Sequence, residues 1–588
     1  MVGSGEMPEW LKGTVLKTVV QETVPRVRIP VSPFYTKIYI LNFIDMKQKK
    51  DIGVGGAVSY RPKDRYEGYP KDLPYWQRRI FEIIPGLVLW IFLLLPVIFA
   101  LLRWEEAFVI YVIFVVAYWF FRAIKFIIGI YLGVRRMNRS VDIDWVKRIE
   151  DLKDPRAKDL RYIYLCPVYG EDYALLDSSF ADWAKNDIGA EKIDVVLAME
   201  EKKSELQIEN FKKLEKKYGK LFGSMQYYVH PFGIPGEIVG VKGGNINYSA
   251  RKYVKKLEEE GKNLNDYLLI TCDSDLRPHS KYLSAVTYEY LTVENPMETF
   301  FTSAIHTFNN NIWSVPPLIR VFSNTTTLAV LYTWVFERSV KSPFTKEEYY
   351  TRDTFSSYIV NLQTLKDMEY WDPEIPNDDT AFYWNSMVRS KGNFKGREVY
   401  LPTYNDAIEN KDFKSTHEAF YKQQYRWGWG KIPFPITLSV IFRRGNGISL
   451  FRKTHMFKSI VEQMWMFSIV LLLSFGVITI SLLDPEFKYT AYSYNLPKLI
   501  SYVLTIAMVT NIATVILRRR ITPIPKGWSW WRNVLDMLET YLISINMLTF
   551  NFVPHVQAIT EMMLGKGKFK RNFYITEKIR SDSLPDSG

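Results

Sequence analysis

Cysteine is nearly absent from the chain, which has only Cys166 and Cys272 among its 588 residues. This scarcity excludes a disulfide framework and a cysteine-rich zinc site. Both cysteines lie in apolar, strand-like runs, so we expect two buried thiols in a reducing compartment. A cleavable signal peptide is not visible either, since the first long apolar run starts only near Ile80.

The stretch before Met46 has little hydrophobic periodicity, and its segment PEWLKGTVLKTVVQETVPRVRIPVSP resembles spurious translation of an upstream tRNA gene. We expect residues 1–60 to be an extension that is disordered or not native, with the natural start near Met46. No function is assigned to this extension.

Apolar residues are concentrated in blocks. Hydrophobic residues make up 47% of the chain and aromatic residues 15%, yet the mean hydropathy is −0.11. Such blocks are typical of membrane spans. A net charge of +13 is also found in nucleic-acid-binding proteins, but Lys and Arg cluster beside the apolar blocks, as in loops that face anionic lipid. We therefore predict a lipid bilayer as a partner and no nucleic acid.

Two pairs of apolar blocks flank a polar middle region. The uncharged run Ile83–Leu102 is about 30 Å long as a helix, the thickness of a hydrocarbon core. A second block follows a tight turn, so residues 80–132 are predicted to form a transmembrane hairpin. Basic residues flank both of its outer ends, which places both ends in the cytosol. Two further blocks lie in a C-terminal transmembrane region predicted over residues 456–563.

The last apolar segment, Val534–Met563, is interrupted by polar residues, namely Asp536, Glu539, Asn546, Asn551 and His555. Its uncharged part is short for a span. A single crossing would place the basic tail, residues 564–588, outside and against the charge rule. Two readings remain open: a fifth span that lines a polar cavity, or an interfacial or re-entrant helix that keeps the tail inside.

The polar middle region, residues 142–413, alternates short β-branched runs with helical stretches. This pattern predicts an α/β domain with a largely parallel sheet, inserted between transmembrane helices. YIYLCPV, IDVVLAM and DYLLITCDSD are the predicted buried strands. Residues 414–455 are predicted to form an interface segment that leads to the C-terminal transmembrane region.

The strongest chemical signal is DYLLITCDSD, a buried strand predicted to end in Asp273 and Asp275. Two carboxylates placed two residues apart at a strand tip suit Mg²⁺ or Mn²⁺ bound together with phosphates. Lys242, in the KGGN segment just ahead of an apparent helix, suits a phosphate contact. A plain loop and helix cap explains that segment equally well.

Weaker candidates lie at the ends of two other predicted strands. The CPVYGEDY turn contains Pro167 and Tyr169, at the carboxyl edge of the sheet where ligands bind. The run VVLAMEEK ends in Glu200 and Glu201, acids able to accept hydrogen bonds from a base or ribose. A solvated strand end has the same composition, so these acids alone indicate little.

Two later motifs complete the set. YWDPEIPNDDTAFYWN places Asp378 and Asp379 at the apparent start of a helix, either as a general base or as acids that stabilise the helix end. FYKQQYRWGWG supplies Gln423, Arg426 and Trp427 just before the apolar blocks resume. An amphipathic interface helix uses the same residue types.

In this order, the motifs resemble the inverting family 2 glycosyltransferases, which include cellulose, chitin and hyaluronan synthases. The resemblance covers about Arg161 to Lys431, and QQYRW is its most specific part. It implies a cytosolic GT-A-like, Rossmann-type domain with amphipathic interface helices, in a bacterial or archaeal plasma membrane. The variants AMEE, KGGN and FYWN are closer to a bacterial membrane branch than to the named synthases.

The resemblance implies a role for each matching residue. Asp273 and Asp275 would hold the metal and the diphosphate of a nucleotide sugar, which we expect to be UDP-linked, and Asp379 would be the base. Nucleotide, diphosphate and acceptor contacts would come from Pro167, Tyr169, Glu200 or Glu201, Lys242, Gln423, Arg426 and Trp427.

Other segments carry weaker implications. In RDTFSSYIVN, the residues Phe355, Ser356 and Ser357 would line the acceptor path. Trp313–Arg338 is read either as an amphipathic helix under the membrane or as a buried core helix. The sequence departs from the family pattern in having Glu for the first acid and Asn377 before the paired acids, which leaves the identity of the base open.

Three functions remain at this point. A processive polysaccharide synthase would extend a growing glycan through the spans. A single-transfer enzyme would add one sugar to a lipid-linked acceptor. A transporter or scaffold with a degenerate domain would turn over no nucleotide, but the intact acids and QxxRW argue against it.

Overall fold

The computed structural model describes residues 74–235, 237, 242–375, 377–429 and 433–565. The predicted extension, residues 1–60, and nearly all of the predicted basic tail lie outside these residues.

A seven-stranded sheet lies at the centre of the polar region, with strand order β11-β6-β10-β4-β1-β2-β3. The strands of the described residues are β1 Arg161–Val168, β2 Ile193–Glu200, β3 Ser224–His230, β4 Tyr267–Thr271, β5 Arg277–Pro278, β6 Thr299–Ser303, β7 His306–Thr307, β8 Ser339–Lys341, β9 Glu348–Tyr350, β10 Tyr358–Asn361, β11 Lys395–Val399 and β12 Thr403–Tyr404.

The sheet is largely parallel, as predicted. β1 pairs in parallel with β2 and β4, and β2 pairs in parallel with β3. β10 is antiparallel to both of its neighbours, β4 and β6. The carboxyl ends of β1, β2 and β4 therefore meet at one edge of the sheet. One detail differs from the prediction: β4 ends at Thr271, so Asp273 and Asp275 lie in the turn that follows the strand.

Apolar side chains cover both faces of the sheet. Along β1, Ile163 and Leu165 belong to one hydrophobic cluster, whereas Tyr162 and Tyr164 belong to the other. Successive side chains of a strand point to opposite faces, so this alternation buries the strand on both sides. The continuous apolar runs of the sequence follow from that double burial.

Helices surround the sheet and continue beyond it. They are α1 Tyr75–Leu101, α2 Glu105–Asp142, α3 Trp145–Leu152, α4 Arg156–Asp159, α5 Tyr173–Trp183, α6 Ser204–Tyr218, α7 Lys242–Glu259, α8 Tyr282–Thr292, α9 Pro317–Phe336, α10 Leu362–Asp367, α11 Asp378–Arg389, α12 Phe413–Trp429, α13 Pro433–Phe442, α14 Leu450–Leu483, α15 Ala491–Ile521, α16 Trp530–Glu539, α17 Ile543–Asn546 and α18 Phe552–Met563.

Within the described residues, five helical segments are long and apolar enough to cross a membrane. They are Tyr75–Leu101, Glu105–Asp142, Leu450–Leu483, Ala491–Ile521 and Trp530–Met563. The predicted fold class, an α/β domain between two apolar helices before it and two or three after it, is confirmed.

Helix α9 joins the sheet region to the apolar helices. It packs against α2 at two glycines: a Cβ added at Gly133 would lie 2.5 Å from Leu331, and one at Gly129 would lie 2.8 Å from Tyr332. The glycines therefore permit an approach that a side chain would block. This face of α9 is buried, as both readings of Trp313–Arg338 require, so the two readings stay predictions.

The last apolar segment is one irregular unit rather than a uniform helix. A 3-10 turn and a π-helical turn separate α16, α17 and α18. The end of α18 meets α1, where Trp90 Nε1 donates to Thr560 Oγ1 at 3.0 Å and Arg79 donates to the Met563 carbonyl at 2.7 Å. These contacts hold the end of the segment beside the start of α1.

Candidate active site

A cavity of about 1050 Å³ runs from the carboxyl edge of the sheet into the space between the apolar helices. It brings together most of the residues singled out from the sequence. Those that line it are Pro167, Tyr169, Glu200, Lys242, Asp273, Asp275, Phe355, Ser356, Asp378, Asp379, Gln423, Arg426 and Trp427.

Two candidates from the sequence do not line this cavity. The Glu201 carboxylate accepts a hydrogen bond from the Phe232 backbone N–H at 2.7 Å and so closes the turn after β3. Ser357 is buried, and its backbone carbonyl accepts a hydrogen bond from the Thr302 hydroxyl at 2.9 Å. Of the two adjacent glutamates, Glu200 is the one in the cavity wall.

The two aspartates of DSD have different surroundings. Asp273 accepts hydrogen bonds from Lys242 Nζ at 3.0 Å and from Ser356 Oγ at 3.2 Å. Asp275 is 1% exposed, and its Oδ2 accepts the backbone N–H of Asp406 at 2.7 Å. Lys242 therefore balances the charge of Asp273, while the fold itself holds Asp275.

A divalent cation fits this donor set only when it is shared with a substrate. Among the described residues, no group of three or more His, Cys, Asp or Glu side chains is placed to hold a metal ion. Mg²⁺ in nucleotide sites takes one or two carboxylates and completes its shell with phosphates and water. Asp273 and Asp275 suit that arrangement and do not suit an all-protein metal site.

Two helices begin beside Asp273. α7 starts at Lys242, so the KGGN residues form its first turn and do not precede the helix as predicted. α11 starts at Asp378, where the sequence predicts it. A Cβ at Gly243 would lie 3.0 Å from the Asp378 Cβ, so the glycine lets the two first turns touch. Helix N-termini favour negative charge, and together with Lys242 they suit a diphosphate.

The paired acids of α11 differ in burial. Burial raises the pKa of Asp378, the charges of Asp379 and Asp273 raise it further, Lys242 opposes them, and the result is about 7. Asp379 is more accessible, and its carboxylate accepts the backbone N–H groups of Ser356 at 2.9 Å and Thr380 at 2.7 Å. Asp379 therefore presents a fixed carboxylate to the cavity.

Ser356 connects the two groups of acids. Its N–H binds Asp379, and its hydroxyl binds Asp273. Its φ angle of 50° lies in the left-handed region, which is unfavourable for a serine. Residues held in such conformations cluster at functional sites. Its two hydrogen bonds hold this conformation between the metal-binding and base candidates.

The QxxRW residues share one face of α12. Gln423, Arg426 and Trp427 are three and four residues apart, a spacing that places side chains on the same side of a helix, and all three line the cavity. The Trp427 ring lies 6.2 Å from the Phe322 ring of α9. α12 also packs against α18, where a Cβ at Gly428 would lie 2.8 Å from Ala558.

Asp406 and His306 are among the residues of the cavity wall that sequence reasoning missed. The backbone N–H of Asp406 donates to the Asp275 carboxylate, and the Asp406 carboxylate accepts a hydrogen bond from the Asn310 side-chain amide at 2.8 Å. No local sequence motif indicates Asp406. His306 lies between the hydroxyls of Thr302 and Thr403. Burial lowers the pKa of His306 to about 4, so the ring is neutral.

The far part of the cavity contains charged residues from three separate parts of the chain. Arg122 of α2 lies 3.3 Å from Glu337, just after α9, and 3.6 Å from Glu462 of α14. The Tyr118 hydroxyl donates to Glu462 at 2.8 Å. Charged groups within apolar helices are costly and mark paired or functional positions.

No protein-family model and no curated protein sequence matches the chain. Solved structures that match the chain include a mannosyltransferase, PcManGT from Pyrobaculum calidifontis, in complex with GDP-Man and Mn²⁺: 10% identity, 79% of this chain, 99% of that chain and a TM-score of 0.36. They also include S. aureus TarS 1-349 in complex with UDP-GlcNAc, at 12% identity, 69% of this chain, 92% of that chain and a TM-score of 0.32. GalNAc-T7 with UDP, GalNAc and Mn²⁺ is 10% identical over 52% of this chain and 58% of that chain, with a TM-score of 0.29.

Proposed function

We propose that the chain is a membrane-embedded, inverting family 2 glycosyltransferase that uses a nucleotide-sugar donor, with a UDP-linked sugar expected. The observation that carries this proposal is the shared cavity, whose wall contains the DSD aspartates, Lys242, Asp379 and the QxxRW residues. Sugar transfer needs a cation on the diphosphate, a base for the acceptor hydroxyl and stabilisation of the leaving group. The cavity contains a candidate for each.

The donor half of the reaction uses the sheet edge. Asp273 and Asp275 would hold Mg²⁺ or Mn²⁺, which when bound supplies charge neutralisation of the leaving diphosphate. Lys242 and Arg426 bind phosphate oxygens, and the first turns of α7 and α11 add their partial positive charge.

The acceptor half uses Asp379. Its carboxylate takes the proton of the acceptor hydroxyl as that oxygen attacks the anomeric carbon, and the bond from this carbon to the diphosphate breaks. A single in-line displacement inverts the configuration and forms no covalent sugar–enzyme intermediate. Ser356 holds the Asp379 carboxylate through its N–H. Phe355 and Trp427 line the cavity where the acceptor would lie.

A processive polysaccharide synthase is the preferred form of this activity. The cavity does not stop at the sheet edge but continues to Arg122, Glu462 and Asn546 among the apolar helices. A growing glycan needs such a path from a cytosolic catalytic domain into the plasma membrane. A single-transfer enzyme with a lipid-linked acceptor would use the same entrance to reach the bilayer.

Product size distinguishes these forms. Purified protein in vesicles is incubated with Mn²⁺ and a panel of radiolabelled nucleotide sugars, and the products are separated by size and by lipid extraction. Long products support the synthase. A lipid one sugar larger supports single transfer. Absence of turnover with every donor would overturn both and leave a non-catalytic transporter or scaffold.

A further inference from the structure

A buried histidine links the acid at the end of β2 to the segment before α7. His230 is the last residue of β3 and pairs with Glu200 in the register of β2 and β3. Its Nδ1 lies 3.3 Å from Glu200 Oε2, and its Nε2 lies 2.8 Å from Glu237 Oε2. The side chains of His230, Glu200 and Glu237 are only 9%, 11% and 15% exposed.

Helix α7 supports this group from the other side. A Cβ at Gly244 would lie 3.2 Å from the Glu237 carboxylate and 3.6 Å from the His230 ring, so the glycine permits their close approach. The Tyr248 ring meets the His230 ring edge-on at 5.5 Å. α7 begins with Lys242, the proposed phosphate contact. His230 and Glu237 therefore connect this end of the site to Glu200.

The contacts set the protonation of His230. With a carboxylate at each ring nitrogen, both nitrogens of His230 act as donors, which requires the imidazolium form. Burial lowers the pKa of His230, but the hydrogen bonds to Glu200 and Glu237 outweigh burial and raise it to about 9. The hydrogen bond from the charged ring limits the rotamers of the buried Glu200 side chain.

Glu200 lies at the right place for a nucleobase. The strands β4, β1 and β2 are consecutive neighbours in the sheet. Adjacent strands are about 4.8 Å apart, so the end of β2 lies about 10 Å from the end of β4 along the edge. A diphosphate at Asp273 and a base at Glu200 would leave a ribose over β1, beside Pro167 and Tyr169.

We propose that His230 and Glu237 are positioning residues that fix the Glu200 carboxylate, so that the site selects a nucleobase with a ring N–H, uracil or guanine, over cytosine and adenine. The inference rests on the proposed function, because it requires a nucleotide donor in this cavity. Uracil N3–H and guanine N1–H donate to an acceptor-only carboxylate. Cytosine and adenine have a lone pair at the corresponding ring nitrogen, which the carboxylate repels.

Calorimetric titration of the full chain in detergent, with Mn²⁺ and UDP, GDP, CDP or ADP, tests the selection. The natural sequence is expected to bind UDP or GDP at least about tenfold more tightly than CDP and ADP. His230→Gln and Glu237→Gln are each expected to weaken binding of the favoured nucleotide by about tenfold. Each is also expected to remove most of the preference for that nucleotide over CDP and ADP. His279→Gln, at a histidine of the same domain outside the cavity wall, is the matched control and is expected to change neither value.

The outcomes separate the two proposals. If the natural sequence binds none of the four nucleotides, the donor function fails. If it binds all four equally, the selection by Glu200 is wrong. If a preference exists and both folded variants retain it, the positioning role fails while the donor function stands. Glu237 has the most exposed side chain of the three, so its variant provides a second test should His230→Gln fail to fold.

Discussion

The charged side chains at the two ends of the cavity have different kinds of partner. At the sheet edge, the Asp275 carboxylate accepts a backbone N–H, and Asp379 accepts two. At the far end, Arg122 pairs with Glu337 and Glu462, which belong to two other parts of the chain. Backbone groups thus hold Asp275 and Asp379, although Asp273 pairs with the Lys242 side chain. The far pairs depend on how separate helices pack. We therefore expect donor binding and acceptor handling to be separable by mutation.

The largest effect is expected from the base candidate at the sheet edge. Asp379→Asn removes the proton acceptor and retains the shape of the side chain, so the transfer rate should fall by about 10³-fold. Nucleotide affinity should change by less than about threefold, since Asp379 is not a proposed phosphate ligand. Transfer of radiolabelled sugar and calorimetry measure the two quantities.

The matched control for this change is Asp367→Asn, at an exposed aspartate of the same domain. It should retain full activity. Full activity of Asp379→Asn would show that another group, with Asp378 the first candidate, removes the proton.

The next largest effect is expected at the metal and diphosphate site. Asp273→Asn should weaken Mn²⁺-dependent UDP binding by about 100-fold, because it removes a charged ligand of the proposed cation. Titrations with and without Mn²⁺ measure the change. If the dependence on Mn²⁺ survived intact, Asp273 would not be a metal ligand.

A smaller and different effect is expected at the far end. Glu462→Gln weakens the contacts with Arg122 and Tyr118, so the amount or length of product should fall by about tenfold. Nucleotide affinity should be unchanged. Gel sizing of the product, alongside calorimetry, tests this difference between the two ends.

Glu486→Gln is the control for that experiment. Glu486 pairs with Arg103 in an exposed contact with 73% of its side chain accessible, and exposed pairs contribute little. A loss of nucleotide binding in Glu462→Gln would contradict the separation of the two ends.

The smallest effect is a pH dependence of stability. The pKa of Asp378 is raised in the folded protein, so its contribution is present below its ordinary pKa and is lost as the pH rises towards 7. Asp378→Asn cannot lose a proton there. In metal-free buffer, the melting temperature of the variant relative to the natural sequence should rise by about 2 °C between pH 4 and pH 8. Equal differences at both pH values would contradict a raised pKa.

Much of the fold follows from local patterns. The strands β1 and β2 and the start of α11 match the predicted positions, because buried strands and helix starts leave short-range signals. The bounds of β4 and α7 were less predictable. Cys272 continues the apolar run but no longer pairs as strand. The two glycines of KGGN disfavour helix in isolation, but they lie in the first turn of α7, where Gly243 packs against Asp378 of α11 and Gly244 packs against Glu237 and His230.

The sequence by itself determined which residue types lie at the strand ends and where the apolar helices lie. Both features depend on neighbours only a few positions away in the chain. Only the tertiary structure decided that Glu200 and not Glu201 lines the cavity, that Asp406 supports Asp275, and that Arg122 meets Glu462. Asp275 and Asp406 are 131 positions apart. Contacts of that range depend on strand order and helix packing, which no short motif contains.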